Sequence, residues 1–231
     1  MNLSDVRAIV TGGSSGIGLA TARLLVERGG KVVICGRDEG RVREAAAEIR
    51  AHGVRADVGV ERDVEALFAE AERVLGTINV LVNNAGFGDF APLLEVTEAS
   101  MRAIWETNVL GAMFAARAAA RHFIDRKIRG NIVNVASTAG QRGFAGGTAY
   151  VSSKFALAGM TECWRAELRK HDIRVMLVNP SEVQTEFFRG SRPRSERKLV
   201  AGDIAGAIAS MLAMDDRGFV TELTVWATNP D

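Results

Sequence analysis

The chain has 231 residues, with 29 Lys and Arg against 28 Asp and Glu and a formal net charge of +1. That length suits a single α/β domain with a sizeable core, and the balanced charge carries no electrostatic signature for nucleic acid or an acidic partner. No apolar run approaches the roughly 18 residues of a membrane span, and Met1 to Asp5 leads into the first apolar run without room for a signal peptide, so a soluble, cytoplasmic protein is expected.

Taken in order, Val6 to Val10 reads as a short buried strand, followed by Thr-Gly-Gly-Ser-Ser-Gly-Ile-Gly over residues 11–18 and a helix over Leu19 to Arg28, where Leu19, Ala22, Leu25 and Val26 share a face. Lys31 to Cys35 is a second strand, Arg41 to Arg50 a helix, Val54 to Val58 a third strand, Val64 to Leu75 a helix and Ile78 to Val82 a fourth strand. One long helix is expected from Thr97 to about Lys127. Asn131 to Ala136 is a strand, Tyr150 to His171 a second long helix and Ile173 to Val178 a strand; Ala201 to Met214 is the last helix and Phe219 to Trp226 the last strand. The alternation predicts parallel βαβ units wound on both faces of one sheet, in one domain over residues 1–231. Cys35 falls in an apolar run and packs as a small hydrophobe. Neither the two cysteines, Cys35 and Cys163, nor the scattered His52, His122 and His171 have metal-ligand spacing, so no metal site is expected.

Residues 181–200 break the rhythm. They carry Arg189, Arg192, Arg194, Arg197 and Lys198 with little apolar periodicity and follow a strand's carboxyl end, where ligands bind in open α/β sheets. A substrate loop with an anion contact and a merely solvated basic loop are both open readings.

A strand, a glycine turn and a helix in succession form a phosphate cradle. Glycines reach positive φ and admit a ligand closely, and the helix start presents unpaired N–H groups and the positive end of its dipole. The spacing Gly12, Gly16, Gly18 differs from the Gly-x-Gly-x-x-Gly dinucleotide fingerprint, but the physics is the same. An acid about 20 residues beyond the glycines would accept the ribose hydroxyl of NAD. Here the second strand ends Cys35-Gly36-Arg37, and Arg37 offers a guanidinium fork to a phosphate, which favours NADP(H) over NAD(H). Asp38 is the alternative, a ribose contact for NAD. Asn83-Asn84-Ala85-Gly86 reads as a turn beside this cradle. Tyr150 and Lys154, four residues apart at a helix start, share a face; an ammonium beside the phenol is expected to lower its pKa towards neutrality, with a cationic nicotinamide adding to the effect. Ser137, after the fifth strand, can donate to a carbonyl oxygen. Asn108, mid-helix, invites a bond to a water or a lysine.

In order and spacing, the residue 11–18 turn, Asn83 to Gly86, Asn108, Ser137, Tyr150-x-x-x-Lys154 and Pro180 resemble the short-chain dehydrogenase/reductase family, over about Leu3 to Trp226. The resemblance implies a doubly wound Rossmann-type domain with a seven-stranded parallel sheet flanked by helices, binding NAD(P)(H). It implies a tetrad in which Tyr150 is the general acid/base, Lys154 lowers its pKa and holds the nicotinamide ribose, Ser137 orients the carbonyl and Asn108 supports a relay water. Cofactor contacts implied are Gly12, Ser14, Ser15, Gly16, Ile17 and Gly18 in the cradle, and Arg37 at the phosphate. Asp57 and Val58 match the adenine contact; Asn84, Ala85 and Gly86 lie along the ribose and diphosphate. Tyr150, Lys154, Pro180, Val183 and Thr185 fall at the nicotinamide. Two departures stand out: Ser181 replaces the glycine common after Pro180, and the tail beyond Trp226 is short, leaving homodimer and homotetramer both open. The expected function is NADP(H)-dependent interconversion of a small-molecule ketone and a secondary alcohol, nearest in character to 3-oxoacyl-acyl-carrier-protein reductases. The alternatives are an NAD-dependent alcohol, sugar or steroid dehydrogenase of the same fold, and a non-catalytic dinucleotide-binding regulator.

Overall fold

A computed structural model describes residues 1–185 and 195–228. In chain order it contains β1 (Arg7–Thr11), α1 (Gly16–Glu27), β2 (Lys31–Gly36), α2 (Glu39–Ile49), β3 (His52–Arg55), α3 (Glu61–Leu75) and β4 (Val80–Asn83). The second half runs α4 (Glu98–Trp105), a π-helical turn (Glu106–Gly111), α5 (Ala112–Arg126), β5 (Asn131–Val135), α6 (Thr148–Leu168), β6 (Arg174–Pro180), β7 (Val183–Gln184), β8 (Leu199–Val200), α7 (Ala201–Ala213) and β9 (Glu222–Val225). Seven strands form one parallel sheet in the order β3-β2-β1-β4-β5-β6-β9, and β7 and β8 pair separately.

Strand side chains alternate between two apolar layers, as the pleat requires. Val10, Ile34, Val82, Val133 and Met176 face Leu25 of α1, Val42 of α2 and Ile208 of α7. Ile9, Val33, Leu81, Ile132 and Val175 face Leu67 and Phe68 of α3 and Ala115, Ala119 and Phe123 of α5. The sheet therefore reads as continuous apolar runs in sequence because both of its faces are covered. Strand order reverses between β1 and β4, and in such sheets a ligand crevice opens at that switch point, beyond the strands' carboxyl ends.

Several boundaries differ from expectation, and three of the differences are large or bear on the site. The long helix from Thr97 is interrupted: Glu106–Gly111 is a π turn, one residue wider than an α turn, with Asn108 and Val109 buried in it. The third strand ends at Arg55, so Asp57 and Val58 sit in the turn beyond it, where the Asp57 carboxylate accepts from the Gly59 amide at 2.9 Å. The last strand spans only Glu222–Val225. No helix among the described residues is long and apolar enough to cross a membrane.

Candidate active site

A cleft of about 1050 Å³ lies along the carboxyl ends of β1, β2, β4, β5 and β6. At one end is the glycine turn. Gly12 and Gly16 have φ of +62° and +53°, a region L side chains avoid. A Cβ on Gly18 would lie 2.3 Å from the Gly12 carbonyl oxygen, so Gly18 stands behind the cradle and lets α1 pack against the turn, outside the cleft wall. A Cβ on Gly16 would meet nothing closer than Thr185 at 3.4 Å; Gly16 opens onto the cleft. Ser15 precedes α1 without a side-chain cap to the helix, so an anion lying against the first turn would meet its amides and the positive end of the dipole.

The turn is held from the side. The Thr11 hydroxyl accepts from the amides of Asn84 and Ala85, both at 3.0 Å, and Asn84 Nδ2 donates to the carbonyls of Thr11 and Gly12 at 3.0 and 3.1 Å. Asn83 is buried and donates to Ala112 O and Asn134 Oδ1, tying β4 to α5 and β5. The paired asparagines thus brace the crevice, while Asn84, Ala85 and Gly86 also form part of its wall.

Arg37 is exposed at the tip of β2, its guanidinium 5.9 Å from the centroid of the Phe87 ring. Its neighbour Asp38 is engaged: its carboxylate caps α2, accepting from the Arg41 amide at 3.0 Å. Arg41 and Phe87 also line this end, and neither was expected. The signal for Arg41 was available in Asp38, whose capping position starts the helix and places Arg41 in its first turn. Asp57 and Val58 complete the same end.

At the other end, Ser137, Tyr150 and Lys154 converge from the loop after β5 and the first turns of α6. Ser137 lies close enough to the Tyr150 phenol to pull its pKa down, and its hydroxyl accepts from the Ala139 amide at 3.1 Å. Tyr150 is 9% exposed and Lys154 4%. Lys154 Nζ donates to the Val135 carbonyl at 3.0 Å and lies 5.7 Å from the Tyr150 ring centroid. The protein's own groups do not give the expected lowering of the phenol. Burial pushes Tyr150 up to about 12, against a weaker downward pull from Ser137, and burial pushes the Lys154 ammonium down to about 8. Each side chain is held where its charged form is costly; added positive charge would favour the phenolate while disfavouring the ammonium further, and water would favour both charged forms.

Asn108 does not reach a lysine. Its Oδ1 accepts from the Phe87 amide at 3.1 Å, and its Nδ2 donates to Phe87 O and to Ser153 Oγ, both at 3.0 Å. It clamps the chain after Gly86 to α6, behind the wall of the cleft, and a Cβ on Gly86 would lie 3.0 Å from its oxygen. Pro180 ends β6 and accepts weakly from Ser137 Oγ at 3.4 Å; Val183 and Thr185 follow along the wall, as do Ser14 and Ile17 opposite. Of the expected basic loop, Arg189, Arg192 and Arg194 lie outside the described residues, whereas Lys198 pairs with Glu182 at 3.0 Å on the rim. The tail is described only as far as Thr228. The far rim also carries Phe90, Phe144, Arg142 and Trp226, from loops that sequence periodicity does not connect.

The sequence pattern of the short chain dehydrogenase family matches residues 7–196. An uncharacterized oxidoreductase, YxnA, of Bacillus subtilis is 38% identical over 226 residues, covering 92% of this chain; this chain spans 64% of its length. The 3-oxoacyl-[acyl-carrier-protein] reductase of Bos taurus is 38% identical over 79% of this chain and 78% of its own. Among solved structures, an alcohol dehydrogenase of Thermococcus sibiricus complexed with 5-hydroxy-NADP superposes with a TM-score of 0.89 at 26% identity, covering 97% of this chain and 98% of its own. A 3-ketoacyl-(acyl-carrier-protein) reductase of Brucella melitensis complexed with NADH gives 0.89 at 28% identity, covering 96% of each chain. With the parallel sheet, the glycine turn and the serine–tyrosine–lysine group already in place, the chain belongs to the short-chain dehydrogenase family of oxidoreductases.

Proposed function

We propose that this enzyme reduces a small-molecule ketone to a secondary alcohol, and reverses the reaction, using NADP(H) in preference to NAD(H). The observation that carries the reading is the convergence of Ser137, Tyr150 and Lys154 at one end of a cleft whose other end is a glycine turn and an arginine pair. Relatives that carry a nicotinamide dinucleotide in the same fold support the cofactor class.

The residues present fit such a cofactor. Gly16 and the α1 amides suit its diphosphate, Asp57 and Val58 its adenine end, and Pro180, Val183 and Thr185 its nicotinamide end. Arg37, with Arg41 beside it, suits a 2′-phosphate, and Asp38 is already committed to capping α2. When bound, the nicotinamide supplies or accepts the hydride. Ser137 donates a hydrogen bond to the carbonyl oxygen as negative charge develops there. Tyr150 gives that oxygen its proton in reduction and removes it in oxidation. The Lys154 ammonium offsets the phenolate that forms, and Asn108 keeps Gly86 and α6 in register around the group. Homodimer or homotetramer formation is part of the same proposal; half-exposed Trp105, Leu110 and Phe155 on the helices around the π turn and α6 support it.

The test is consumption of NADPH and of NADH at 340 nm across ketones, 3-oxoacyl thioesters, sugars and steroids. Turnover of a ketone with a lower KM for NADPH supports the reading; equal use of NADH assigns Asp38 the ribose, and no turnover with any carbonyl favours a dinucleotide-binding regulator.

A further inference from the structure

The cleft continues past Tyr150. Phe90 and Phe144 line both the main cleft and a second, shallower groove of about 610 Å³, walled further by Pro92, Leu93 and Ala145. Thr148 brings a hydroxyl, and no charged side chain among the described residues lines this groove. The Phe90 ring stands edge-on to Tyr150 at 5.5 Å and tilted against Phe144 at 5.9 Å. These are large apolar groups left in contact with water: Leu93 is 73% exposed, Phe144 51% and Phe90 37%. A contiguous exposed apolar surface beside a polar site marks a place where something apolar binds.

The groove is built into the fold. The Ala91 amide donates to the Gly146 carbonyl at 3.0 Å, joining the two loops that supply its walls. Gly146 has a φ of +79°, and a Cβ on Gly147 would lie 2.9 Å from the Phe144 ring, so two glycines let the chain turn and seat that ring.

We infer that the substrate carbonyl carries an uncharged hydrocarbon substituent, and that Phe90, Leu93 and Phe144 form its subsite. The inference rests on the ketone-reducing reading above. Its occupant is fixed by continuity: the groove begins at the ring touching Tyr150, so a chain attached to the reacting carbon leads into it. A hydroxylated or carboxylated chain would give up its water to walls with almost nothing to donate or accept. Polar substituents fit another part of the cleft, where Arg142 lies over Trp226 at 4.6 Å and Lys198 pairs with Glu182.

The test is kcat/KM for 2-butanone through 2-octanone and acetophenone, beside dihydroxyacetone and 4-oxopentanoate, with NADPH and with NADH. We expect about a two- to fourfold rise for each methylene that becomes buried. Phe144→Ala and, separately, Leu93→Asn should flatten that slope; Leu93 is exposed enough for its replacement to leave folding intact, so it decides the matter if Phe144→Ala does not fold. A kcat/KM that ignores chain length, or favours the hydroxylated or carboxylated ketone, overturns the inference and leaves the function standing, as do slopes unchanged in the folded variants. No turnover of any ketone with either cofactor overturns the function, and this inference falls with it.

Discussion

Gly12, Gly16 and Gly18 shape the cofactor end of the cleft through backbone, within seven residues of one turn. Phe90, Phe144, Arg142 and Trp226 shape the substrate end through side chains from loops up to 136 residues apart, Phe90 to Trp226. The first end is over-determined: left-handed φ values, close backbone contacts and the Thr11–Asn84 bonds all specify the same conformation. The second depends on ring packing and on exposed residues with fewer constraints. A scaffold of this kind can hold one cofactor geometry while its substrate rim varies, because different segments of the chain shape the two ends.

Breaking the chemistry alone gives the largest effect. Tyr150→Phe removes the proton donor and leaves the glycine turn untouched, so kcat should fall by about 10²–10⁴ while NADPH binding by calorimetry stays near wild type. A folded variant with wild-type kcat would remove Tyr150 from the mechanism.

Next comes the cost of Lys154. Its folded pKa of about 8 lies below the usual 10.5, so its contribution to stability is present above pH 10.5 and is lost as pH falls through about 8. At pH 7 the buried ammonium therefore costs on the order of 3 kcal/mol. Lys154→Met should abolish activity yet melt higher than wild type at pH 7, with the gap closing towards pH 10.5. Tyr150 titrates the other way, its contribution present below pH 10 and lost towards about 12. Calorimetric melts of both proteins across pH 6.5 to 10 check this; equal Tm values throughout would mean the lysine is not carried at a loss.

Smaller effects sharpen the contrast at the cofactor end. Arg37→Ala should weaken NADPH about ten- to a hundredfold and leave NADH nearly unchanged, the value of a charge-assisted phosphate contact; equal losses for both cofactors would reassign Arg37 to the loop's structure. Gly16→Ala should cost about 1–2 kcal/mol of stability from the left-handed backbone alone, because space for the methyl exists. Urea unfolding measures it, and a loss well beyond that range would show that the turn transmits strain into α1.

The parallel sheet was legible because both faces of each strand are apolar and the helices alternate with them. The glycine turn, Ser137, Tyr150 and Lys154 were legible because their spacing is local to one turn or one helix face. Asp57 was placed in a strand because apolar periodicity runs on past Arg55, whereas the carboxylate's bond to the Gly59 amide ends the strand there. The direction of the Tyr150 shift was missed because spacing reports proximity to Lys154 and says nothing of burial, the larger influence on both groups. Phe90 and Phe144 were invisible as a pair: 54 residues apart, their rings pack together where a backbone bond between Ala91 and Gly146 joins their loops.

The π turn at Glu106–Gly111 amounts to one surplus residue inside an otherwise continuous helical rod. Removing a residue from an ordinary helix rotates everything downstream by about 100° and would turn the Ala115, Ala119 and Phe123 face away from the sheet. Removing one here instead returns the rod to its normal pitch, with Ile104 before it and that face after it still directed at the core. What would go is the bulge that carries Asn108 to Phe87 and Ser153. At this one place in the chain the length needed for folding and the length needed for the site differ by a single residue.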